Sequence, residues 1–246
     1  MTENAFEAIS GKGPLFFLCD HASNALPPGG LGLDPALLST HIAYDIGAAT
    51  ATRALAKAYG APAVLGSWSR LLIDLNRGAD DPTLVMKLSD GSIIPGNRDA
   101  DAAEVARRIA AFHAPYHAAI QDELDRIGPE AVLFSMHSFT PAWKGRPRPW
   151  EVGILYDRDI RLAAPLMARL AQAGFTVGDN EPYTGALEGD TLWRHGTMRG
   201  LPHVLIEMRQ DLVGNDEQAQ GFALRLKPIL DAALGDMASS SEALGH

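Results

Sequence analysis

The stretch VLFSMH, residues 132–137, is an apolar run that ends on a histidine. The large aliphatic and aromatic side chains at 132–136, with breakers on either side, are typical of a buried strand. Three further runs have the same features: LFFLC (15–19), VGILY (152–156) and HVLI (203–206). Weaker patterns predict two more strands, at 63–65 and 71–73. The chain is thus expected to build a sheet from these runs.

Helical patterns lie between the predicted strands, at 46–59, 99–127, 160–173 and 217–234. Asp45 could cap the first of these helices, because an aspartate oxygen accepts from the free N–H groups of a helix start. Pro115 is expected to kink or divide the second. Strands that alternate with helices of this length indicate an α/β fold in three layers, α/β/α, around a mostly parallel sheet.

Length and composition are those of an ordinary globular unit. The chain has 246 residues, of which 46% are apolar and 21% are charged, so a core of useful size is available. No repeat or linker divides the sequence, and we expect a single domain over residues 1–246 with flexible ends at about 1–12 and 236–246. Loops at 20–34, 75–98, 137–150 and 178–200 are longer than ordinary connections, which is typical of functional segments.

The charge and the single cysteine argue against several classes of function. A net charge of −9 disfavours nucleic acid as a partner, because phosphate binding requires a basic face. Cys19 stands alone, so neither an internal disulfide nor a cysteine zinc cluster can form. No apolar run approaches the length of a membrane span, and the first residues lack the pattern of a secretory signal. We therefore expect a cytoplasmic protein without membrane or nucleic-acid partners.

Reactive side chains follow three of the predicted strands. His21 comes two residues after the first strand, and His137 and Glu207 come directly after two others. In an open α/β sheet, ligands bind outside the carboxyl ends of the strands. We therefore expect these three side chains at one edge of the sheet, where imidazole and carboxylate groups are suitable ligands for zinc.

A catalytic zinc has three protein ligands and one open position, so a third ligand is needed besides the two histidines. Asp45 is the candidate, because a helix N-terminus favours a nearby carboxylate. The metal lowers the pKa of bound water to about 7 and polarises a carbonyl, and Glu207 would then be the general base. Two simpler roles stay open at this point: Asp45 as a helix cap, and Glu207 as the ion-pair partner of Arg209.

Six segments of the chain share a further property: CDHASNALP (19–27), HIAYDIGA (41–48), SRLLIDLNR (69–77), SMHSFTP (135–141), GDNEPYTG (178–185) and LPHVLIEMRQDL (201–212). Together, and in this order, they resemble the N-formylglutamate amidohydrolase family, over about residues 12–215. The resemblance implies a mixed, mostly parallel sheet similar to that of zinc carboxypeptidases. It also implies Zn²⁺, or another divalent transition metal, held by His21, Asp45 and His137, with Glu207 as the catalytic base.

The first metal-binding motif departs from that of the zinc carboxypeptidases. Those enzymes carry His-x-x-Glu, whereas this chain has HASN at 21–24, and an amide is a poor replacement for a carboxylate ligand. The related cell-wall amidases take the acid from the start of the following helix, which AYDIGA (43–48) resembles. Asp45 is therefore preferred to Asn24 as the third ligand.

The resemblance further implies a small anionic N-acyl amino acid as the substrate, with formate and L-glutamate as the products from N-formyl-L-glutamate. On an acidic protein the substrate carboxylates need local arginines, because guanidinium binds carboxylate in a bidentate way. The candidates for substrate binding are Arg70, Asn76, Arg77 and Arg209. Alternate residues of a strand face the same side, so Arg209 could lie beside Glu207. Arg209 or His195 could then stabilise the oxyanion.

Two other functions stay open from the sequence. The same metal site could act on another N-acyl amino acid or a small peptide-like amide. The same scaffold could also be a catalytically silent protein that binds an acidic metabolite through its arginines. The metal ligands together with Glu207 favour an enzyme, and no sequence feature defines an oligomeric state.

Overall fold

Seven strands form the central sheet of the protein. The computed structural model describes residues 4–244 and the side chains of residues 4–240. The strands of the sheet are β1 Phe6–Ile9, β2 Leu15–Cys19, β3 Ala63–Gly66, β6 Val132–Phe139, β9 Val152–Leu155, β10 Val177–Asp179 and β11 His203–Arg209. Two short hairpins lie outside the sheet, formed by β4 Leu88–Ser89 with β5 Ser92–Ile93 and by β7 Ala142–Trp143 with β8 Arg146–Pro147.

Seven α-helices are found in the described part of the chain. They are α1 Ala48–Tyr59, α2 Pro95–Arg98, α3 Ala102–Arg108, α4 Ala114–Ile127, α5 Ala163–Gln172, α6 Thr191–His195 and α7 Asp216–Leu244. A turn of π-helix, Ile109–His113, joins α3 to α4. Pro115 lies in the first turn of α4, where the missing N–H of proline costs no hydrogen bond. Helical conformation continues without a break over residues 102–127, so the segment is not divided at Pro115, and a turn of π-helix directly precedes α4.

The strand order in the sheet is β1-β3-β2-β6-β11-β9-β10. Four of its pairings are parallel, and two are antiparallel, those of β1 with β3 and of β9 with β11. Apolar clusters cover both faces of the sheet. One cluster includes Leu55, Leu166 and Phe222 from α1, α5 and α7, and the other includes Tyr116 from α4 and Leu192 from α6. The predicted three-layer α/β/α fold with a mixed, mostly parallel sheet is confirmed.

Strand β11 shows how the sheet separates core from site. Its residues alternate between the two faces, as the period of two in a strand requires. Val204, Ile206 and Met208 pack into the cluster under α5 and α7. Leu205 packs on the opposite face, and Glu207 projects on that same side. One strand therefore supplies both core contacts and a carboxylate.

The predicted strand at 71–73 is wrong. These residues are buried, but they form an irregular turn whose backbone groups are paired without a neighbouring strand. The N–H of Leu72 donates to the carbonyl of Ser69, and the Leu72 carbonyl accepts from the Arg108 guanidinium. The apolar pattern therefore indicated only that these side chains are buried. A turn can be buried as well as a strand when side chains complete the hydrogen bonds of the turn's backbone.

The ends of the chain also differ from the sequence-based expectation. Residues 6–9, for which no element was predicted, form the edge strand β1 and pair antiparallel with β3. Helix α7, predicted to end at residue 234, continues to Leu244. Over residues 4–244, no helix has the combination of length and apolar character that a membrane span requires.

Candidate metal centre and active site

Three predicted metal ligands meet at one edge of the sheet. The Nδ1 atoms of His21 and His137 lie 3.3 and 2.8 Å from Oδ2 of Asp45. All three side chains are buried, and one ligand atom from each lies within 4.8 Å of the others. Two imidazoles and one carboxylate that converge in this way match the donor set of a catalytic zinc site with one open position. The residues present therefore fit a divalent transition metal.

Asp45 does not cap helix α1, contrary to the simpler role considered for it. The N-cap residue is Gly47, which makes no side-chain capping bond. Gly47 adopts φ of 79°, and a Cβ at this position would lie 2.2 Å from the carbonyl oxygen of Val213. Glycine is therefore required here, and the turn that it permits directs the preceding Asp45 carboxylate toward the histidines instead of along the helix axis.

Asp20 and Asp74 hold the outer edges of the two histidines. Nε2 of His21 lies 2.7 Å from Oδ1 of Asp74, and Nε2 of His137 lies 3.0 Å from Oδ2 of Asp20. A carboxylate on the far nitrogen fixes the tautomer and the orientation of a metal-binding imidazole. Both histidines therefore present Nδ1 to Asp45.

Neither aspartate was predicted to have a role in the site. The available signal was their place in the two motifs that also supply His21 and Asn76, CDH at 19–21 and DLN at 74–76. A motif that places an acid next to a candidate ligand thus carries information about the groups that hold the ligand.

The ligand cluster is strongly anionic. Burial raises the pKa of the carboxyls of Asp20, Asp45 and Asp74, but the neighbouring histidines and Arg70 lower these pKa values below the ordinary one, so all three are ionised. Arg70 balances part of this charge, with Nη2 at 2.8 Å from Asp74 and Nη1 at 3.5 Å from Asp45. Burial lowers the pKa of His137, but its bonds to Asp20 and Asp45 raise it well above the ordinary value, so this ring adds a positive charge in the metal-free cluster. Metal binding requires neutral imidazoles, and three carboxylates with one guanidinium then leave a negative charge that favours a bound cation.

Glu207 lies on the strand next to His137. In the parallel register of β11 and β6, Glu207 is paired with His137, and on its other side it is paired with Gly153 of β9. The side chain is buried, and its Oε2 atom has no hydrogen-bond partner among the described residues. Burial raises the pKa of Glu207 to about 7. A buried carboxyl with a free oxygen and a pKa near neutrality has the properties of a general acid–base group.

A cavity of about 620 Å³ opens beside this cluster. Its walls include His21, Asp45, His137 and Glu207, and also three of the predicted substrate-binding residues, Arg70, Asn76 and Arg77. Asn76 accepts a hydrogen bond from the N–H of Thr191 through its side-chain oxygen. Arg77 donates to Thr83 and to the carbonyl of Asn76. The cavity thus brings together seven of the nine predicted site residues.

Arg209 is not in this group, and the prediction that it lies beside Glu207 is wrong. Its guanidinium pairs with Asp211 at 2.8 Å and donates to the carbonyls of residues 148–150. Arg209 is the last residue of β11, directly before a turn of 3-10 helix at Gln210–Leu212. Arg209 therefore holds a loop in place and does not line the cavity.

His195 also lies outside the cavity that Glu207 lines. Its Nε2 atom is 3.0 Å from Nδ1 of His117, whose Nε2 atom is in turn 3.2 Å from Nε2 of His113. The three rings form a buried cluster beneath a separate surface cavity. Asn24, the rejected alternative ligand, donates to the carbonyl of Leu38 and does not belong to the metal-binding group.

A family model and solved structures are similar to this chain over most of its length. The family model described as N-formylglutamate amidohydrolase matches residues 13–213. A gene product from Agrobacterium tumefaciens, solved by crystallography, superimposes with a TM-score of 0.91 at 35% identity, covering 96% of this chain and 97% of that one. Comparison with curated proteins finds no match.

A second solved structure supports the same fold. The N-formylglutamate amidohydrolase from Ralstonia eutropha JMP134 has a TM-score of 0.68 at 21% identity, covering 97% of this chain and 98% of that one. The family match spans most of the sequence, from before β2 to just after β11. The resemblance found in the sequence motifs is thereby confirmed. This chain is a hydrolase that belongs to the N-formylglutamate amidohydrolase family.

Proposed function

We propose that this protein is a zinc-dependent amidohydrolase that cleaves N-formyl-L-glutamate to formate and L-glutamate. The observation that carries the proposal is the arrangement of two imidazoles and a carboxylate opposite the unpaired oxygen of Glu207. Three ligands and a free acid–base group are the components of a metal-assisted hydrolysis. The family match and the name of the Ralstonia protein suggest the substrate.

His21, Asp45 and His137 would hold the metal. A bound divalent metal of this type lowers the pKa of water and polarises the substrate carbonyl. Asp74 and Asp20 keep the two imidazoles in the required tautomer through their outer nitrogens. These five residues supply a fixed, buried and negatively charged setting for the cation.

Glu207 moves the proton. Its carboxylate takes a proton from the water that attacks the formyl carbon, and returns it to the nitrogen of the leaving amino acid as the C–N bond breaks. A pKa of about 7 allows both transfers near neutral pH. Arg70 is the arginine in contact with the metal ligands, and it replaces His195 and Arg209 as the side chain proposed to stabilise the oxyanion.

Asn76 and Arg77 are proposed to bind the α-carboxylate of the substrate. Both line the cavity beside the metal ligands. The Arg77 guanidinium faces Asp81 only at 3.9 Å, so part of its hydrogen-bonding capacity is free for a ligand. A planar guanidinium with an adjacent amide suits a carboxylate.

A second candidate function is hydrolysis of an N-acyl amino acid with a larger acyl group. The cavity volume of about 620 Å³ favours this alternative, because a formyl group fills very little of it. Leu155, Leu192 and Leu205 contribute apolar walls that a formyl group alone would leave uncovered. A panel with N-formyl, N-acetyl and N-succinyl glutamate separates the two functions by their kcat/KM values.

The decisive experiment is an assay of formate release from N-formyl-L-glutamate by the purified protein. Chelation is expected to abolish release, and added zinc is expected to restore it. Release that survives complete removal of metal would overturn the metal dependence. Metal-loaded protein that binds N-acyl amino acids but hydrolyses none of them would instead identify a silent binding protein.

A further inference from the structure

Arg148 lies at the edge of the main cavity, held by residues that line it. Its guanidinium carbon is 5.1 Å from the ring centre of Tyr183, 5.5 Å from that of Trp143 and 5.8 Å from that of Phe139. Its Nη1 atom donates to Oγ1 of Thr140 at 3.0 Å. All four of these contact residues belong to the cavity wall. Arg148 is not itself one of the lining residues, but its guanidinium packs against the wall of the cavity that contains the metal ligands.

Arg148 has no carboxylate partner among residues 4–240. The other arginines considered for the site differ in this respect: Arg70 pairs with Asp74 and Asp45, and Arg209 pairs with Asp211. Aromatic rings attract a guanidinium by cation–π interaction, but they do not use its fork of N–H donors. The Arg148 side chain is half-buried, and its unused donors are available to an anion.

The backbone around Arg148 is held in place by Arg209. The Arg209 guanidinium donates to the carbonyls of residues 148, 149 and 150 at 3.2–3.4 Å. The N–H of Arg148 donates to the carbonyl of Pro141 at 2.9 Å. Both ends of the β7–β8 hairpin are thus tied down, which lowers the entropy cost of placing the guanidinium at the cavity.

We propose that Arg148 binds the side-chain carboxylate of an acidic N-acyl amino acid, and thereby selects dicarboxylate substrates. The inference rests on the proposed function, because Asn76 and Arg77 are there assigned to the first carboxylate. The aromatic rings cover part of the guanidinium, and a bond between a guanidinium and a carboxylate is charge-assisted and stronger than one between neutral groups. A substrate with an uncharged side chain would leave the Arg148 donors unpaired.

The test compares kcat and KM for N-formyl-L-glutamate with those for N-formyl-L-glutamine, which has the same shape without the second charge. In the unmodified protein we expect a KM for the glutamine compound that is about ten- to a hundredfold higher, the loss typical of one charge-assisted hydrogen bond. In Arg148→Gln the KM for the glutamate compound should rise to a similar value, with kcat little changed. Arg148→Lys, which keeps the charge without the fork, should fall between the two.

Arg146→Gln is the matched control, because Arg146 is an exposed arginine of the same hairpin. It removes the same charge from the same segment, but Arg146 has none of the contacts that hold Arg148 against Tyr183, Phe139 and Thr140, so both KM values should stay unchanged. Thermal unfolding of each variant shows whether the fold is intact.

Two results would overturn the role of Arg148. One is an unmodified protein that hydrolyses the two compounds with equal KM, and the other is an equal loss on both compounds in Arg148→Gln. Hydrolysis of neither compound by metal-loaded protein would remove the proposed function, and the role of Arg148 with it. Hydrolysis of both with no discrimination would remove the role of Arg148 alone.

Discussion

Glu207 is the residue on which the proposed chemistry depends most directly. We expect Glu207→Gln to keep its metal, because the ligand set is intact, and to lose about a hundred- to ten-thousandfold in kcat, because an amide cannot take the proton. Metal analysis and kcat on the same preparation check this expectation. Glu188→Gln, an exposed glutamate of the loop beside the cavity, should behave like the unmodified protein. Near-normal turnover in Glu207→Gln would remove it as the base.

Asp74 is expected to act through His21 and not on the substrate. Its Oδ1 atom lies 2.7 Å from Nε2 of His21, so Asp74→Asn should lower zinc affinity by about ten- to a hundredfold. Competition with a chromogenic chelator measures this change. Asp90→Asn is the matched control, because Asp90 pairs with His41 at the rim of the same cavity. Equal zinc affinity in the Asp74 and Asp90 variants would contradict the proposed positioning role.

At the scale of elements, the sequence predicted well wherever burial and strand structure coincide. The runs at 15–19 and 203–206 became β2 and part of β11, and so the prediction placed His21 correctly just after its strand. Glu207 was expected directly after its strand but lies within β11, near the carboxyl end. It was wrong at 71–73, where an apolar pattern reports a buried turn. Periodicity in a short run shows that side chains are buried, but does not show which partners their backbone groups find.

The pairing of β9 with β11 depends on a glycine opposite the proposed base. A Cβ at Gly153 would lie 2.1 Å from the carbonyl oxygen of Glu181 and 3.2 Å from Cβ of Glu207. Gly153→Ala should therefore lower the free energy of unfolding by about 1–3 kcal/mol, as overpacking does. Gly221→Ala in α7 meets nothing within 4 Å and should raise it by about 0.5–1 kcal/mol. Urea unfolding checks both, and equal effects would contradict the close contact at Gly153.

Across the whole molecule, the site joins segments that are far apart in sequence. His21, Asp45, Asp74, His137 and Glu207 come from five separate parts of the chain, yet they line or support one cavity. The approach of His21, His137 and Glu207 near the carboxyl ends of β2, β6 and β11 was predictable from topology. The partner of each side chain was not, because it depends on how loops fold against one another. Arg209 and His195 show this limit, since each found a nearer partner elsewhere.

The histidine cluster should make the stability of the whole fold depend on acid. Burial lowers the pKa of His195 from 6.5 to about 4, and burial also lowers the pKa values of His113 and His117. Below pH 6.5 the unfolded chain therefore binds a proton that the native His195 refuses. His195 alone should therefore lower the free energy of unfolding by up to about 3 kcal/mol as the pH drops from 6.5 toward 4. The raised pKa of Glu207 acts in the opposite direction between pH 7 and 4.5, so the contribution of His195 is the difference between the pH profiles of the unmodified protein and His195→Gln.

Urea unfolding of metal-free protein at several pH values tests the dependence, since metal binding has a pH dependence of its own. His195→Gln should be less stable at pH 7, because a buried ring is lost, but its stability should decline less steeply toward pH 4. His41→Gln, which changes a histidine at the cavity rim, should keep the pH profile of the unmodified protein. Parallel pH profiles for the unmodified protein and His195→Gln would contradict the prediction, because they would show that His195 accepts a proton as readily in the native fold as in the unfolded chain. The burial of His195 and its contact with His117 argue against that outcome.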